Sequence, residues 1–325
     1  MTAPAAARIV VTRRIPEPAL ELLGGAGDVW LSPHDRPMTT DELHAAVAGA
    51  DAVVTLLHDR VDDAFLDAAG PSLRVVANVA VGYDNIDVPA CARRGVVATN
   101  TPGVLVDATA DIAMALILMS TRRLGEAERM VREGGTWSWS MFFMLGTGLQ
   151  GKTLGIVGLG QIGAATARRA RAFGMRIAYA GRRRADAALE SELGAGMLDL
   201  DELLATADVV SIHTPLSDDT RHLIDGRRLA LMKPTAHLVN TSRGPVVDEA
   251  ALAAALRDGT IAGAGLDVFE REPEIHPGLR GLENVVLIPH LGSATIETRT
   301  AMGVLAAENA VTVLAGRPPP TPIAG

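Results

Sequence analysis

Gly158-Leu159-Gly160-Gln161-Ile162-Gly163 follows the apolar run Thr153-Leu154-Gly155-Ile156-Val157 and opens a helical stretch that continues through Phe173. A G-x-G-x-x-G string is weak evidence alone. Between a strand and a helix it is a dinucleotide-binding fingerprint rather than a bare tight turn. The three glycines have separate jobs. Gly158 permits the turn, Gly160 lets backbone approach a pyrophosphate, and Gly163 lets helix and sheet pack closely. The phosphates would sit on the helix N-terminus, over Gln161 and Ile162, where amides lack intrahelical partners.

The end of the next strand selects the nicotinamide cofactor, because an acid there binds the ribose hydroxyls and repels a 2′-phosphate. That position reads Tyr179-Ala180-Gly181-Arg182-Arg183-Arg184, and the first acid is Asp186. Guanidinium groups bind phosphate through charge-assisted hydrogen bonds, so Arg182 and Arg183 favour NADPH over NADH. The competing explanation is a solvated basic turn, since of the 30 basic residues only Lys152 and Lys233 are lysines.

Outward from the fingerprint, short β-branched runs alternate with amphipathic stretches along nearly the whole chain, which predicts parallel sheets with crossover helices. One set of strands is expected at Ile9 to Thr12, Ala52 to Leu56, Leu73 to Asn78 and Val96 to Thr99. A second is expected at Thr153 to Gly158, Arg176 to Ala180, Val209 to His213, His237 to Asn240, Gly263 to Asp267 and Val285 to Ile288. Thr40 to Ala48 reads as a helix capped by Thr39 or Thr40. Val104 to Val131 reads as one long helix, and Ala294 to Leu314 as the last. The expected class is α/β, with two doubly wound parallel-sheet domains and a cleft between them: a flavodoxin-like substrate domain, residues 1–101 plus 293–325, and a Rossmann cofactor domain, residues 102–292.

With 325 residues, 48% of them hydrophobic, the chain is long enough for two cores. A net charge of −8 argues against a nucleic-acid partner held by bulk positive charge. The most apolar stretch, Ala113 to Met119, is far short of the ~20 residues a membrane span needs, and the N-terminal apolar run is too short for a signal peptide. Cys91 is the one cysteine, so no intrachain disulfide or multi-cysteine zinc site is expected. No metal is expected, and the compartment read from this usage is the cytoplasm. Trp137, Trp139, Phe142 and Phe143 gather four of the ten aromatic residues just past the long helix. They read either as a loop folded back onto its own domain or as a contact with a partner subunit.

Three polar residues follow strands of the second set: Arg243 in Asn240-Thr241-Ser242-Arg243-Gly244, Glu272 in Asp267-Val268-Phe269-Glu270-Arg271-Glu272-Pro273, and His290 in Pro289-His290-Leu291-Gly292. Ligands of open α/β sheets bind beyond the carboxyl ends of strands, so these groups could meet the nicotinamide. They are the groups that reduction of a 2-oxo acid needs. The Arg clamps a carboxylate and polarises a ketone, the His protonates the forming alkoxide, and the carboxylate holds the His charged.

With these motifs, and with Val81-Gly82-Tyr83-Asp84-Asn85-Ile86-Asp87, Thr99-Asn100-Thr101-Pro102-Gly103, Asp107-Ala108-Thr109-Ala110-Asp111 and Gly265-Leu266-Asp267-Val268-Phe269, the sequence resembles the D-isomer-specific 2-hydroxyacid dehydrogenases over essentially its whole length. Within them it is most similar to glyoxylate and hydroxypyruvate reductases. The resemblance implies that Arg243 binds substrate, His290 is the acid/base and Glu272 its partner. It also implies that backbone around Val81 and Gly82 holds the substrate carboxylate. Leu57, with Leu56, Met144 and Leu145, is read separately as a filler of the substrate pocket. Thr109, Thr214, Pro215, Thr241, Asp267, His290 and Gly292 are implied to line the cofactor, and the assembly to be a homodimer. The expected reaction is NADPH-dependent reduction of glyoxylate or hydroxypyruvate to glycolate or D-glycerate. The alternatives are a short-form phosphoglycerate dehydrogenase, an enzyme for bulkier 2-oxo acids, or a non-catalytic NAD(H)-sensing corepressor.

Overall fold

The computed structural model describes residues 6–324, in two compact units. The first comprises the chain up to Leu105 together with the segment from Thr295 onward; the second is Val106–Ala294. Among the described residues, no helix is long and apolar enough to cross a membrane.

The first unit holds strands β1 (Ala7–Val11), β2 (Gly27–Leu31), β3 (Ala52–Thr55), β4 (Val75–Asn78) and β5 (Val97–Thr99). They form one parallel sheet in the order β2-β1-β3-β4-β5, which is the flavodoxin-like winding. The inner strands are near-continuous apolar runs because both faces are covered. Val10, Val53 and Val76 pack on one side, while Ile9, Val11, Val54 and Val75 pack on the other. The helix Ile296–Leu314, capped by Thr295, lies on that second side beside the helix Glu17–Gly24. Gly303 allows their approach, since a Cβ there would stand 3.2 Å from Pro16. The helix Thr40–Val47 begins with the anticipated cap: Thr39 Oγ1 accepts from the Glu42 amide and Glu42 accepts from that of Thr39.

The second unit holds β6 (Thr153–Val157), β7 (Arg176–Ala180), β8 (Gly196–Met197), β9 (Val209–Ile212), β10 (His237–Asn240), β11 (Gly263–Leu266) and β12 (Val285–Leu287). All pairs are parallel, in the order β12-β11-β10-β9-β6-β7-β8. That is the six-stranded dinucleotide-binding order with one further strand. The order reverses between β6 and β9, so a crevice opens where Gly158 ends β6 and Thr214 follows β9.

Three expectations need correction. The edge strand β2 was not anticipated, because Gly27-Asp28 carries no strand pattern. Pairing with β1 imposes the extended state, and the fit at Gly27 is so close that a Cβ would lie 2.2 Å from the Ala7 carbonyl oxygen. β8, two residues at the opposite sheet edge, was also missed. Finally, the long helix is two helices, Val106–Thr121 and Leu124–Arg132, broken at Arg123 in the left-handed region (φ 55°). The chain returns here: the Thr147 amide donates to the Thr121 carbonyl at 2.8 Å, so that carbonyl does not serve a continuing helix. Beyond the second helix, Trp139 and Phe142 are 78% and 85% exposed, and Trp137 stacks on Phe143 at 6.3 Å. Of the two readings of this aromatic run, folding back onto its own unit is not what these side chains do.

Candidate active site

The fingerprint turn is built by exclusion. Gly158 has φ +94°, and a Cβ there would also press on the His213 carbonyl at 3.0 Å. A Cβ on Gly163 would lie 2.5 Å from the Gly158 oxygen. At Gly160 a Cβ would meet nothing within 4 Å, so there the side chain is missing in front of open space. Gly160 also caps the helix Gln161–Ala172 without any side-chain hydrogen bond. Uncapped first-turn amides facing open space suit a pyrophosphate.

At the end of β7 the Gly158 amide donates to the Ala180 carbonyl at 2.8 Å, which fixes the basic turn beside the fingerprint. Arg184 is engaged elsewhere, pairing with Glu190 at 3.0 Å, and the Tyr179 hydroxyl donates to the same carboxylate. Arg182 and Arg183 are exposed and make no ion pair among the described residues. These two guanidinium groups are therefore available to a phosphate, and no acid competes for them.

Arg243, Glu272 and His290 follow β10, β11 and β12, three adjacent strands. Asn240 shapes the first loop: its Oδ1 accepts from the Ser242 amide and hydroxyl, and its Nδ2 donates to the Arg243 carbonyl. Gly244 then nests against the second loop, where a Cβ would fall 1.9 Å from the Phe269 carbonyl carbon. In the second loop the Phe269 amide donates to Glu272 Oε1 at 3.0 Å. The other oxygen, Oε2, lies 2.8 Å from His290 Nδ1.

His290 adopts a left-handed backbone (φ 52°), a conformation that costs a non-glycine residue on the order of 1 kcal/mol or more and persists only where neighbours impose it. Asp267 is that neighbour. Its carbonyl accepts from the His290 amide at 2.8 Å, and its buried carboxylate accepts from the amides of Leu291 (2.5 Å) and Gly292 (2.8 Å). Burial pushes the Asp267 carboxyl above its ordinary pKa, and the two amides oppose that. Thr109 Oγ1 donates to the Gly292 carbonyl at 3.2 Å, so this turn is held from the helix Val106–Thr121 as well. Glu272 thus engages Nδ1, and Nε2 is the ring nitrogen that makes no hydrogen bond among the described residues.

The other sequence candidates fall as follows. Thr214 and Pro215 lie beyond β9, with the Thr214 amide at the fingerprint turn, and the Pro215 carbonyl accepts from Thr220. Thr241 Oγ1 is buried and has no hydrogen-bond partner among the described residues. His213 is a structural group: its Nε2 pairs with Ser211 at 2.9 Å, and burial lowers its pKa to about 4.

In the first unit, Leu57 is half-buried beyond β3. Val81 and Gly82 lie in the loop after β4, where Asn100 donates to the Val81 carbonyl (2.8 Å) and Asn78 to that of Gly82 (3.1 Å). The carbonyls are thus occupied, while the two amides have no acceptor among the described residues. Sequence reasoning overlooked Asn78 and Asn100. The signal was there, since asparagines at the ends of β4 and β5 are unlike the apolar strands they terminate.

A fingerprint at a topological switch point, followed by a fixed Arg and a carboxylate–His pair on neighbouring loops, defines a dinucleotide-dependent oxidoreductase. Residues 114–292 match the model of the D-isomer specific 2-hydroxyacid dehydrogenase family, NAD binding domain. A glyoxylate reductase of Aeropyrum pernix is 50% identical over 319 residues, 96% of this chain and 94% of that protein. One of Thermococcus kodakarensis is 49% identical over 319 residues, 97% and 95%. The crystal structure of an NADPH-dependent glyoxylate/hydroxypyruvate reductase from Sinorhizobium meliloti, in complex with NADP and malonate, superposes with a TM-score of 0.85 at 36% identity, covering 98% of this chain and 97% of that one. The chain belongs to the D-isomer specific 2-hydroxyacid dehydrogenase family.

Proposed function

We propose that the chain reduces glyoxylate and hydroxypyruvate to glycolate and D-glycerate with NADPH as the preferred reductant, acting as a homodimer in the cytoplasm. The observation that carries the catalytic part is the 2.8 Å pair between Glu272 and His290 Nδ1, on a turn locked by Asp267. The proposed substrate and cofactor class draws on the full-length glyoxylate reductase relatives and on the NADP-bound solved structure.

The Val81 and Gly82 amides bind the substrate carboxylate, and Leu57 limits the size of its side chain. Arg243 binds the substrate and draws electron density toward the ketone oxygen. The reduced nicotinamide, when bound, supplies a hydride to the 2-carbon. His290 Nε2 gives its proton to the oxygen as it becomes an alkoxide, and Glu272 stabilises the imidazolium before that transfer. The fingerprint amides of Gln161, Ile162 and Gly163 hold the pyrophosphate, Arg182 and Arg183 the 2′-phosphate, and Thr109, Thr214, Pro215, Thr241, Asp267, His290 and Gly292 line the rest of that site. Cys91 takes no part in the chemistry: burial, aided by Asp87, pushes its thiol up to about 11, so it stays protonated and inert.

The test is a panel of 2-oxo acids assayed with both cofactors, repeated for Arg182→Ala/Arg183→Ala. Each lost charge-assisted phosphate contact is worth about 1.5–3 kcal/mol, so the double variant should lose at least tenfold in kcat/KM for NADPH and keep its NADH value. Equal use of both cofactors by the parent refutes the NADPH assignment. Better turnover of a branched or aromatic 2-oxo acid refutes the substrate assignment. Cofactor binding with no turnover on any member would favour the corepressor reading.

A further inference from the structure

Glu249 is the first residue of the helix Glu249–Arg257, a position where an acid ordinarily faces solvent and favours the helix dipole. Here the cap is already supplied by Asp248, which accepts from the Ala251 amide at 2.9 Å. Glu249 is instead 5% exposed, and burial raises its pKa against the amides that it accepts from. A buried carboxylate is costly unless its oxygens are well bonded. Both are: one accepts from the Glu270 amide at 2.5 Å and the other from the His276 amide at 3.3 Å. Glu270 reciprocates, its carboxylate accepting from the Glu249 amide at 2.8 Å while its other oxygen lies 3.3 Å from His222 Nε2.

One carboxylate therefore ties down both ends of the segment 270–276, and Glu272 stands between those ends. Inside the segment, the Glu274 amide donates to the Arg271 carbonyl at 2.8 Å, and Glu272 Oε1 is held by the Phe269 amide. We propose that Glu249 is a positioning residue for the acid/base step: by fixing the loop 270–276 it sets Glu272 against His290 Nδ1 without itself touching substrate or cofactor. This rests on the reading of His290 and Glu272 as acid and partner.

The experiment is a double-mutant cycle in the full-length chain, with Glu249→Ala, Glu272→Gln and their combination, and with Glu249→Gln as the variant that keeps side-chain volume and one acceptor. Glyoxylate reduction, NADPH affinity by fluorescence titration and thermal midpoint are read on each. A misplaced catalytic partner costs on the order of 100-fold. Glu249→Ala should accordingly lower kcat about 10- to 100-fold, with KM for glyoxylate and NADPH affinity within about twofold of the parent, and Glu249→Gln should recover part of the loss. In the Glu272→Gln background the further loss should be under about twofold, because the group being positioned is already disabled. The proposal is overturned if Glu249→Ala retains parental kcat, or if the two losses multiply in the double variant. Should Glu249→Ala fail to fold, the cycle with Glu249→Gln decides by the same criterion. A parental kcat in Glu272→Gln would instead overturn the acid/base reading itself and this proposal with it.

Discussion

Replacing Gly160 by alanine separates the cofactor's need for a glycine from the fold's need. Its backbone (φ −84°, ψ −163°) is open to any L-residue, and the added methyl meets no atom within 4 Å. The fold should hardly notice, since a Gly→Ala change at a compatible position alters stability by under about 1 kcal/mol, in the favourable direction. A pyrophosphate approaching the first-turn amides would meet that methyl. Losing one charge-assisted hydrogen bond of about 1.5–3 kcal/mol weakens binding roughly tenfold to a hundredfold. Gly163→Ala is the opposite case: its methyl would lie 2.5 Å from the Gly158 oxygen and 3.0 Å from Ile156 Cγ2, so helix and strand must separate. Overpacking of that kind costs about 1–3 kcal/mol of stability. The assay is NADPH titration and calorimetry on the same samples. Gly160→Ala should keep the parental melting temperature and lose affinity, whereas Gly163→Ala should lose both. Parental NADPH affinity in Gly160→Ala would refute the placement of the pyrophosphate on this helix.

Two further outcomes follow from the same coordinates. His237 is 6% exposed, its Nδ1 lies 2.7 Å from Ser120 Oγ, and burial lowers its pKa from 6.5 to about 4. The unfolded chain therefore binds this proton first, so the stabilisation is complete above pH ~6.5 and falls by about 3 kcal/mol as the pH drops to ~4. Denaturant titrations of the parent and His237→Gln at pH 7, 5.5 and 4 should show a shallower acid decline in the variant, and parallel declines would count against the buried neutral ring. The exposed Trp139 and Phe142 are proposed to meet a second copy, so light scattering should give a dimer for the parent and a mass near the 33.9 kDa protomer for Trp139→Ala/Phe142→Ala; a monomeric parent at micromolar concentration rules this out.

The sequence by itself determined the parallel α/β class, the fingerprint and the order of Arg243, Glu272 and His290. Each is a local signal: buried parallel strands must be apolar along their length, a turn against a phosphate must lack side chains, and polar residues placed directly after such strands stand out from them. β10 and β7 have the expected bounds for this reason. Only the tertiary structure decided β2, whose extended state comes from pairing with β1, and the break at Arg123, where a distant amide takes the carbonyl that a longer helix would use. It also decided what the acids do. Asp267 and Glu249 look in sequence like a strand-end acid and a helix first-turn acid. Burial turns both into anchors for the loops that carry His290 and Glu272. A carboxylate's partners are amides 21 to 27 residues away in the chain, and no local pattern encodes which amides the fold will leave unpaired beside it.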